Sequence, residues 1–429
     1  MTSKNLFLYD LAIVAIFKDE GKYLKEWIDY HLLAGVEHFY LYNNDSSDDY
    51  AEVLAPYVAA NLVTLTDCPG KLQMFPAYDD AIAKYRFDCR YMAFIDLDEF
   101  IYPKTGQSIA EVVDEILSQN PKAAALGINW QCFGSNGQDK ADYSRGVLER
   151  FTRRAPRDWF FVTEDNFQEG NLYIKSVVNP RRVEFFLSPH YAKYSSGLNS
   201  INEVGLETYC AGSHPIAADK IVINHYYTKS REEFLNKINR GCPDLLVIHR
   251  DIKMFNLRDC NDEFDDGILD YRATRADKFS LEEDEERVRR VEKSLIEILT
   301  QRSPFDAPAE FFVGKLETFL TCRAVAEKFD IKIGARSAEE YALAWIYQTL
   351  TKADLLTQAE IYQFIHELPE ILSRPFPLCK KLNFLTQKVV IPSFCEALKF
   401  AGDWSARGEL LQIQKLLRLL NYSKEAGDS

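Results

Sequence analysis

An α/β fold with a mostly parallel central sheet, followed by an all-helical C-terminal domain, is what this chain of 429 residues predicts. Three observations carry that expectation. Apolar runs of strand length alternate with segments of helical periodicity over the first hundred residues. Clusters of polar, turn-forming residues stand directly after these apolar runs, where an open parallel sheet binds its ligands. Beyond residue 280 the strand-like runs give way to helical patterning.

The elements follow in order. Residues 11–17 read as a buried strand ending in Lys18-Asp19-Glu20, and residues 23–33 as a helix closed by Gly35. Residues 36–42 form a second strand that runs into the turn-forming stretch 43–49. A helix at 50–60, a strand at 63–66, a helix at 77–86 and a strand at 92–95 continue the alternation. Such spacing implies right-handed crossovers and parallel pairing. Short strand candidates at 123–128, 173–178 and 221–223 lie between polar loops. Ser230-Arg-Glu-Glu233 is a capping box that opens a helix stopping at Gly241. Residues 242–279 read as acidic and irregular. A second capping box, Ser280-Leu-Glu-Glu283, precedes a helical face of Val288, Val291, Leu295 and Leu299. The expected division is therefore 1–280 and 281–429.

Composition narrows the function classes. With 51 Lys+Arg against 65 Asp+Glu, the net charge of −14 argues against a broad nucleic-acid-binding surface. Hydrophobic residues at 47% exclude global disorder. The nine cysteines are odd in number and hold no C-x-x-C pair, which fits reduced thiols and a cytoplasmic protein rather than a disulfide framework or zinc ribbon. The first apolar run, 6–17, is broken by Asp10, is too short to span a bilayer and lacks a cleavage site. No transmembrane segment is expected. The leucine-rich stretch 410–420, interrupted by Lys415 and Arg418, reads as a core helix, with peripheral membrane or partner contact as the alternative. Oligomeric state is not legible.

The strongest chemical signal is Phe94-Ile-Asp96-Leu-Asp98-Glu-Phe100. Read as a strand end, period-two spacing sends both aspartates to one side and Leu97 to the other. Such a pair suits a hard divalent cation, because Mg²⁺ or Mn²⁺ takes one or two carboxylates and completes its shell with water and phosphate oxygens. From D-x-D alone, solvated strand-end acids read equally well. A metal-dependent phosphohydrolase using Asp96 and Asp98 is a further reading.

Seven segments together resemble glycosyltransferase family 92: residues 15–27 (AIFKDEGKYLKEW), 30–36 (YHLLAGV), 39–48 (FYLYNNDSSD), 94–100 (FIDLDEF), 129–137 (NWQCFGSNG), 174–180 (IKSVVNP) and 224–230 (NHYYTKS). They keep order across roughly residues 10–265. The resemblance implies a GT-A nucleotide-sugar fold and metal-dependent, inverting hexose transfer from a UDP-sugar to a glycan or other hydroxyl acceptor, with galactose the leading sugar. It implies Mn²⁺ or Mg²⁺ on Asp96, Asp98 and His225, with His190 as a competing ligand. It sets Lys18, Asp19 and Glu20 beside the nucleotide, Asn43 and Asp45 in the base-side loop, and Gln73, Asp79 and Asp80 over the nucleotide. Related nucleotide-sugar enzymes often have Asp where this chain has Asn43. Lys175, Arg181 and Lys229 are the candidate counter-charges of the departing diphosphate. Trp130 and Phe133 wall the sugar pocket. Asp139 is the candidate acceptor-side base, with Asp142 and Asp158 as alternatives; Gln138 departs from the family's more usual His. A GT-A domain that has lost catalysis and serves as a binding scaffold is the remaining alternative.

Overall fold

The computed structural model describes residues 4–162, 168–195, 197–208, 211–240, 251–300 and 312–352. The first strands and helices are β1 (Tyr9–Phe17), α1 (Gly21–Leu33), β2 (His38–Asn43), α2 (Tyr50–Ala59), β3 (Val63–Asp67), α3 (Met74–Tyr85), β4 (Cys89–Phe94), β5 (Glu99–Pro103), α4 (Ile109–Ser118) and β6 (Ala123–Cys132). Next come α5 (Val147–Arg150), the short strands β7 (Arg153–Arg154), β8 (Phe160–Val162) and β9 (Gln168–Gly170), then β10 (Ile174–Val178) and the hairpin β11 (Val183–Ser188) and β12 (Tyr191–Tyr194). β13 (Asn199–Ile201), β14 (Ile221–His225), α6 (Arg231–Arg240), α7 (Ile252–Arg258), β15 (Glu263–Phe264) and α8 (Gly267–Ala276) follow. Helices α9 (Asp284–Thr300), α10 (Phe312–Phe329) and α11 (Ala338–Lys352) close the described chain.

The central sheet runs β3-β2-β1-β4-β10-β6-β14-β5, with β13 also on β6. β3, β2, β1 and β4 are mutually parallel, and β14 and β13 lie parallel to β6. Only β10 and β5 run antiparallel to their neighbours. The expected α/β arrangement is therefore present, with its mostly parallel sheet. Its direction decides which residues meet. The carboxyl ends of β1, β2, β3, β4, β6 and β14 open on one side, and the reversed β10 and β5 begin there.

Burial explains the layers. β1, β2, β4 and β6 are buried along their whole length, as parallel strands covered on both faces must be. α1 turns Leu24, Trp27 and Ile28 into the core on one face. Its polar atoms tie it to β5: Trp27 Nε1 donates to the Glu99 carbonyl at 2.8 Å and the Tyr30 hydroxyl to that of Ile101 at 2.8 Å.

Three differences from the sequence reading stand out. The stretch 242–279 contains α7 and α8; Asp251 caps α7 by accepting from the backbone N–H of Lys253. α9 opens at Asp284 rather than behind Ser280, because Glu282 is drawn into a two-point pair with Arg290 (3.0 and 2.9 Å). Arg181 lies far from any diphosphate site. It follows the reversed β10, so it emerges at the opposite end of the sheet from the aspartates and donates to the carbonyls of Arg86, Cys89 and Arg90. The stretch 410–420 falls outside the described residues.

Arg181 instead anchors the helical region. Glu317 on α10 accepts from Arg181 Nε at 3.2 Å, Arg182 Nε at 3.1 Å and Asn179 at 3.1 Å. Burial alone would raise the Glu317 carboxyl, but Arg182 and Arg181 outweigh it and hold it down to about 2. Leu6 and Phe7 sit in one apolar cluster with Val291, Leu295, Phe319 and Leu320. We propose that a boundary near 280 separates two cores but not two independent folding units. Among the described residues, no helix is long and apolar enough to cross a membrane. The described cysteines Cys68, Cys89, Cys132, Cys260 and Cys322 are free thiols.

Removing Glu317 leaves Arg181 buried without its counter-charge, so Glu317→Ala should lower stability by roughly 3–5 kcal/mol in urea unfolding. Because the folded carboxyl lies below its ordinary 4.5, its contribution is complete above that value and is lost as pH falls toward about 2. Glu317→Gln should therefore flatten this part of the acid limb; an acid limb identical to the wild type's contradicts the clamp.

Candidate functional site

The site grows from the end of β4. Asp96 and Asp98 occupy a turn rather than a strand continuation: Asp96 N–H donates to Glu99 Oε2 at 2.8 Å, and Glu99 N–H to the Asp96 carbonyl at 3.1 Å. The turn separates the two carboxylates, and each meets its own lysine.

Asp96 is held by Lys175, at 2.9 Å from Nζ to Oδ2. Lys175 reaches it because β10 is antiparallel to β4, with Ser176 opposite Phe94, so the first residues of β10 stand just beyond the end of β4. The same ammonium lies 3.6 Å from Glu99 Oε2. Burial would raise Asp96, yet Lys175 pulls it below the usual carboxylate range. Glu99 is completely buried, and that burial pushes it up to about 8 despite Lys175.

Asp98 is buried at 4% exposure and is more heavily engaged. Lys237 Nζ lies 2.5 Å from Oδ2, Lys229 Nζ 3.9 Å from the same oxygen, and His225 Nε2 3.6 Å from Oδ1. Strand register brings His225 here: it pairs with Glu99 on β5 and with Cys132 on β6. Burial alone would raise Asp98, but Lys237 and then Lys229 hold it well below its ordinary value. Burial lowers His225 to about 4, which keeps the imidazole neutral, and lowers Lys229 to about 8.

Whether a divalent ion fits can be asked of these donors. Two carboxylates and a neutral imidazole with an unpartnered Nδ1 are the right chemistry for Mn²⁺ or Mg²⁺. Asp98 and His225 already face one another. Asp96 is turned to Lys175, and among the described residues no three His, Cys, Asp or Glu side chains are gathered to hold an ion. The donor set therefore fits, provided that the lysines yield.

Aromatic rings form the wall. Trp130 packs against His225 at 4.1 Å, His190 at 5.2 Å and Tyr173 at 5.3 Å between ring centres, and its indole N–H is buried without a partner. His190 spends Nδ1 on the Ile174 carbonyl at 2.8 Å. The loop after Phe133 is fastened down. Ser135 N–H and Oγ donate to Asp259 at 2.6 and 3.0 Å, and a side chain at Gly134 would meet the Cys260 carbonyl at 2.5 Å. The acids of the 259–265 stretch thus serve as ties: Asp265 also pairs with Arg154 at 2.7 Å.

Other expected residues fall into two groups. Glu20 joins the cluster's rim through Arg240 of α6, at 2.6 Å, and Asp19 accepts from Ser47 N–H at 2.7 Å with φ of +50°. Lys18 is half-buried beside them. The residues expected on the base side are bonded within the chain. Asn43 donates to Asp67 at 3.0 Å and Tyr50 at 2.9 Å and accepts from Ser46, while Asp45 accepts from Gly70 N–H at 2.8 Å. Gln73 donates to the Lys71 carbonyl at 3.0 Å, and Asp80 is bonded to Tyr42 at 2.9 Å and Lys84 at 2.8 Å. The Asp79 carboxyl is raised by burial. Asp139 is exposed on the loop between β6 and α5, where its carbonyl accepts from the Glu232 N–H of α6 at 3.0 Å. Asp142 accepts from its own loop's Ser144, and Asp158 is exposed.

Lys237, Glu99 and Arg240 escaped the sequence reading. The only local signal was the Ser230 capping box, which fixes the start of α6 and hence where its lysine points; Glu233 closes that box and is itself pinned by Arg150 at 2.9 Å. Several strained positions crowd these loops: Asp19, Asp45, Asn136 and Lys229 all have positive φ.

Residues 14–265 match the family model Glycosyltransferase family 92. A family 92 glycosyltransferase of Ricinus communis is 26% identical over 242 residues, covering 56% of this chain but 39% of that protein. A galactan β-1,4-galactosyltransferase of Arabidopsis thaliana is 32% identical over 148 residues, which is 30% of this chain and 27% of that protein. The match thus spans well under half the length of these relatives. The crystal structure of S. aureus TarS 1–349 aligns at TM-score 0.29 and 11% identity over 88% of this chain and 91% of that one, a likeness too weak to carry any inference.

The ion-pair geometry has a direct consequence for stability. Asp98→Asn leaves Lys237 and Lys229 buried with too little counter-charge and should cost roughly 3–5 kcal/mol in urea unfolding. Adding Lys237→Met should recover much of the loss in a double-mutant cycle. A strictly additive double mutant would contradict the pairing.

Proposed function

This chain belongs to glycosyltransferase family 92, and from that premise we propose that it transfers a hexose, galactose first among the candidates, from a UDP-sugar to a hydroxyl of a glycan or other acceptor with inversion. The observation that carries the reading is the strand-end cluster. Asp96 and Asp98 leave β4 into a ring of lysines, with His225 3.6 Å from Asp98 and Trp130 packed behind it. The galactose preference draws on the relatives named as galactan galactosyltransferases.

The chemistry is a single displacement at the anomeric carbon. As the acceptor oxygen bonds to that carbon, its bond to the UDP oxygen breaks, and negative charge develops on the leaving diphosphate. Lys229, beside Asp98, faces that charge in a site sparing of water, where a fixed cation acts strongly. Asp96, Asp98 and His225 would hold a Mn²⁺ or Mg²⁺ ion, which supplies Lewis-acid charge at the same oxygens. Lys175 fixes the Asp96 carboxylate in place. The Trp130 ring, packed behind His225, walls the sugar pocket. On the acceptor side Asp139 takes the proton of the incoming hydroxyl.

A panel of nucleotide-sugars incubated with the full chain and Mn²⁺ should release free UDP from a UDP-hexose, fastest from UDP-galactose when acceptor glycan is present. No nucleotide release from any donor, or turnover of simple phosphomonoesters instead, would end this reading. Asp139→Asn should lower kcat roughly 10²- to 10⁴-fold while donor binding persists. Full activity in that variant would remove Asp139 from the base role.

A further inference from the structure

Asp98 is met by two lysines and a histidine. Lys237 Nζ touches it at 2.5 Å and Lys229 Nζ at 3.9 Å, while Asp96 and Glu99 share Lys175 on the other side of the turn. All three lysines are buried.

The helix that delivers Lys237 is fixed. The Ser230–Glu233 capping box closes its start, Glu233 takes Arg150 at 2.9 Å and the Tyr23 hydroxyl at 2.9 Å, and Arg240 at its far end holds Glu20 at 2.6 Å. Lys229 directly precedes the cap with φ of +51° and lies over the Tyr23 ring at 4.6 Å. Lys237 is supported independently of Asp98: its ammonium lies 3.8 Å from the centre of the Tyr227 ring and donates to the Tyr227 carbonyl at 3.3 Å. It therefore keeps a seat at the site when Asp98 turns elsewhere.

We propose that Lys237 is a second binding residue for the donor's diphosphate, resting on Asp98 in this arrangement and passing from that carboxylate to phosphate oxygens when the nucleotide enters. The proposal rests on the reading of this strand end as a nucleoside-diphosphate site. It makes two bindings compete and cooperate through one carboxylate. Lys237 and a divalent cation exclude each other on Asp98, whereas the diphosphate draws Lys237 away and frees Asp98 for the cation.

Calorimetry on the full chain with UDP and with uridine, and electron paramagnetic resonance of Mn²⁺ without nucleotide, test this together, each variant's melting temperature confirming its fold. Lys237→Met should weaken UDP at least roughly tenfold, the loss of one charged hydrogen bond, and leave uridine binding as in the wild type. The same substitution should tighten Mn²⁺ binding in the absence of nucleotide. Lys237→Arg should keep UDP affinity within about threefold, since it retains the charge. UDP affinity unchanged by Lys237→Met overturns the proposal, as does an equal fall for UDP and uridine, or Mn²⁺ binding that does not respond. A wild-type chain that binds no UDP at all overturns the nucleotide-sugar reading itself and this proposal with it.

Discussion

Buried carboxylates at the end of β4 are the constraint on which the rest of this structure depends. Asp98 and Glu99 are almost without solvent, and Asp96 is only partly exposed. Each charge must be met by a cation or suppressed, because water is not there to solvate it. The fold answers with elements from three places: β10 brings Lys175, β14 brings His225 with Lys229 on the loop behind it, and α6 brings Lys237. Glu99, sharing its lysine with Asp96, is instead driven toward its neutral form. On the proposed function, the cations gathered to balance the aspartates are the groups that would meet a diphosphate.

The opposite end of the sheet obeys the same rule with a different outcome. There Arg181 is the buried charge, and a carboxylate from a helix 136 residues away in sequence neutralises it. That bond and the shared cluster around Leu6 and Phe7 fasten the helical region beneath the sheet. The two ends thus bury opposite charges: at one, Glu317 answers Arg181 and Arg182, and at the other, lysines answer the aspartates.

Much of this was legible in the residues, and the exceptions are instructive. β1, β2 and β4 followed from apolar runs, because fully buried parallel strands write continuous apolar stretches, and the half-buried β3 from its alternation. Asp96 and Asp98 were legible as a pair, but the turn they occupy was not: Glu99 bends back to cap the Asp96 N–H, a contact no period-two rule contains. Lys175 meets Asp96 and Arg181 does not, for one reason. Both flank β10, and only its antiparallel direction says which end faces the aspartates. α7 and α8 were hidden by dense charge, since acids that form long-range ties look like a solvated loop. Lys237 lies 139 residues from its partner, and nothing near it in the chain announces the pair.

The most direct test of the central claim is a crystal structure of the full chain with UDP and Mn²⁺. The account places the diphosphate at the carboxyl end of β4, within hydrogen-bond reach of Lys229 Nζ and Lys237 Nζ, with Lys237 no longer on Asp98. Nucleotide bound away from Asp96 and Asp98, or a diphosphate there with the Lys237–Asp98 pair still at 2.5 Å, would contradict it.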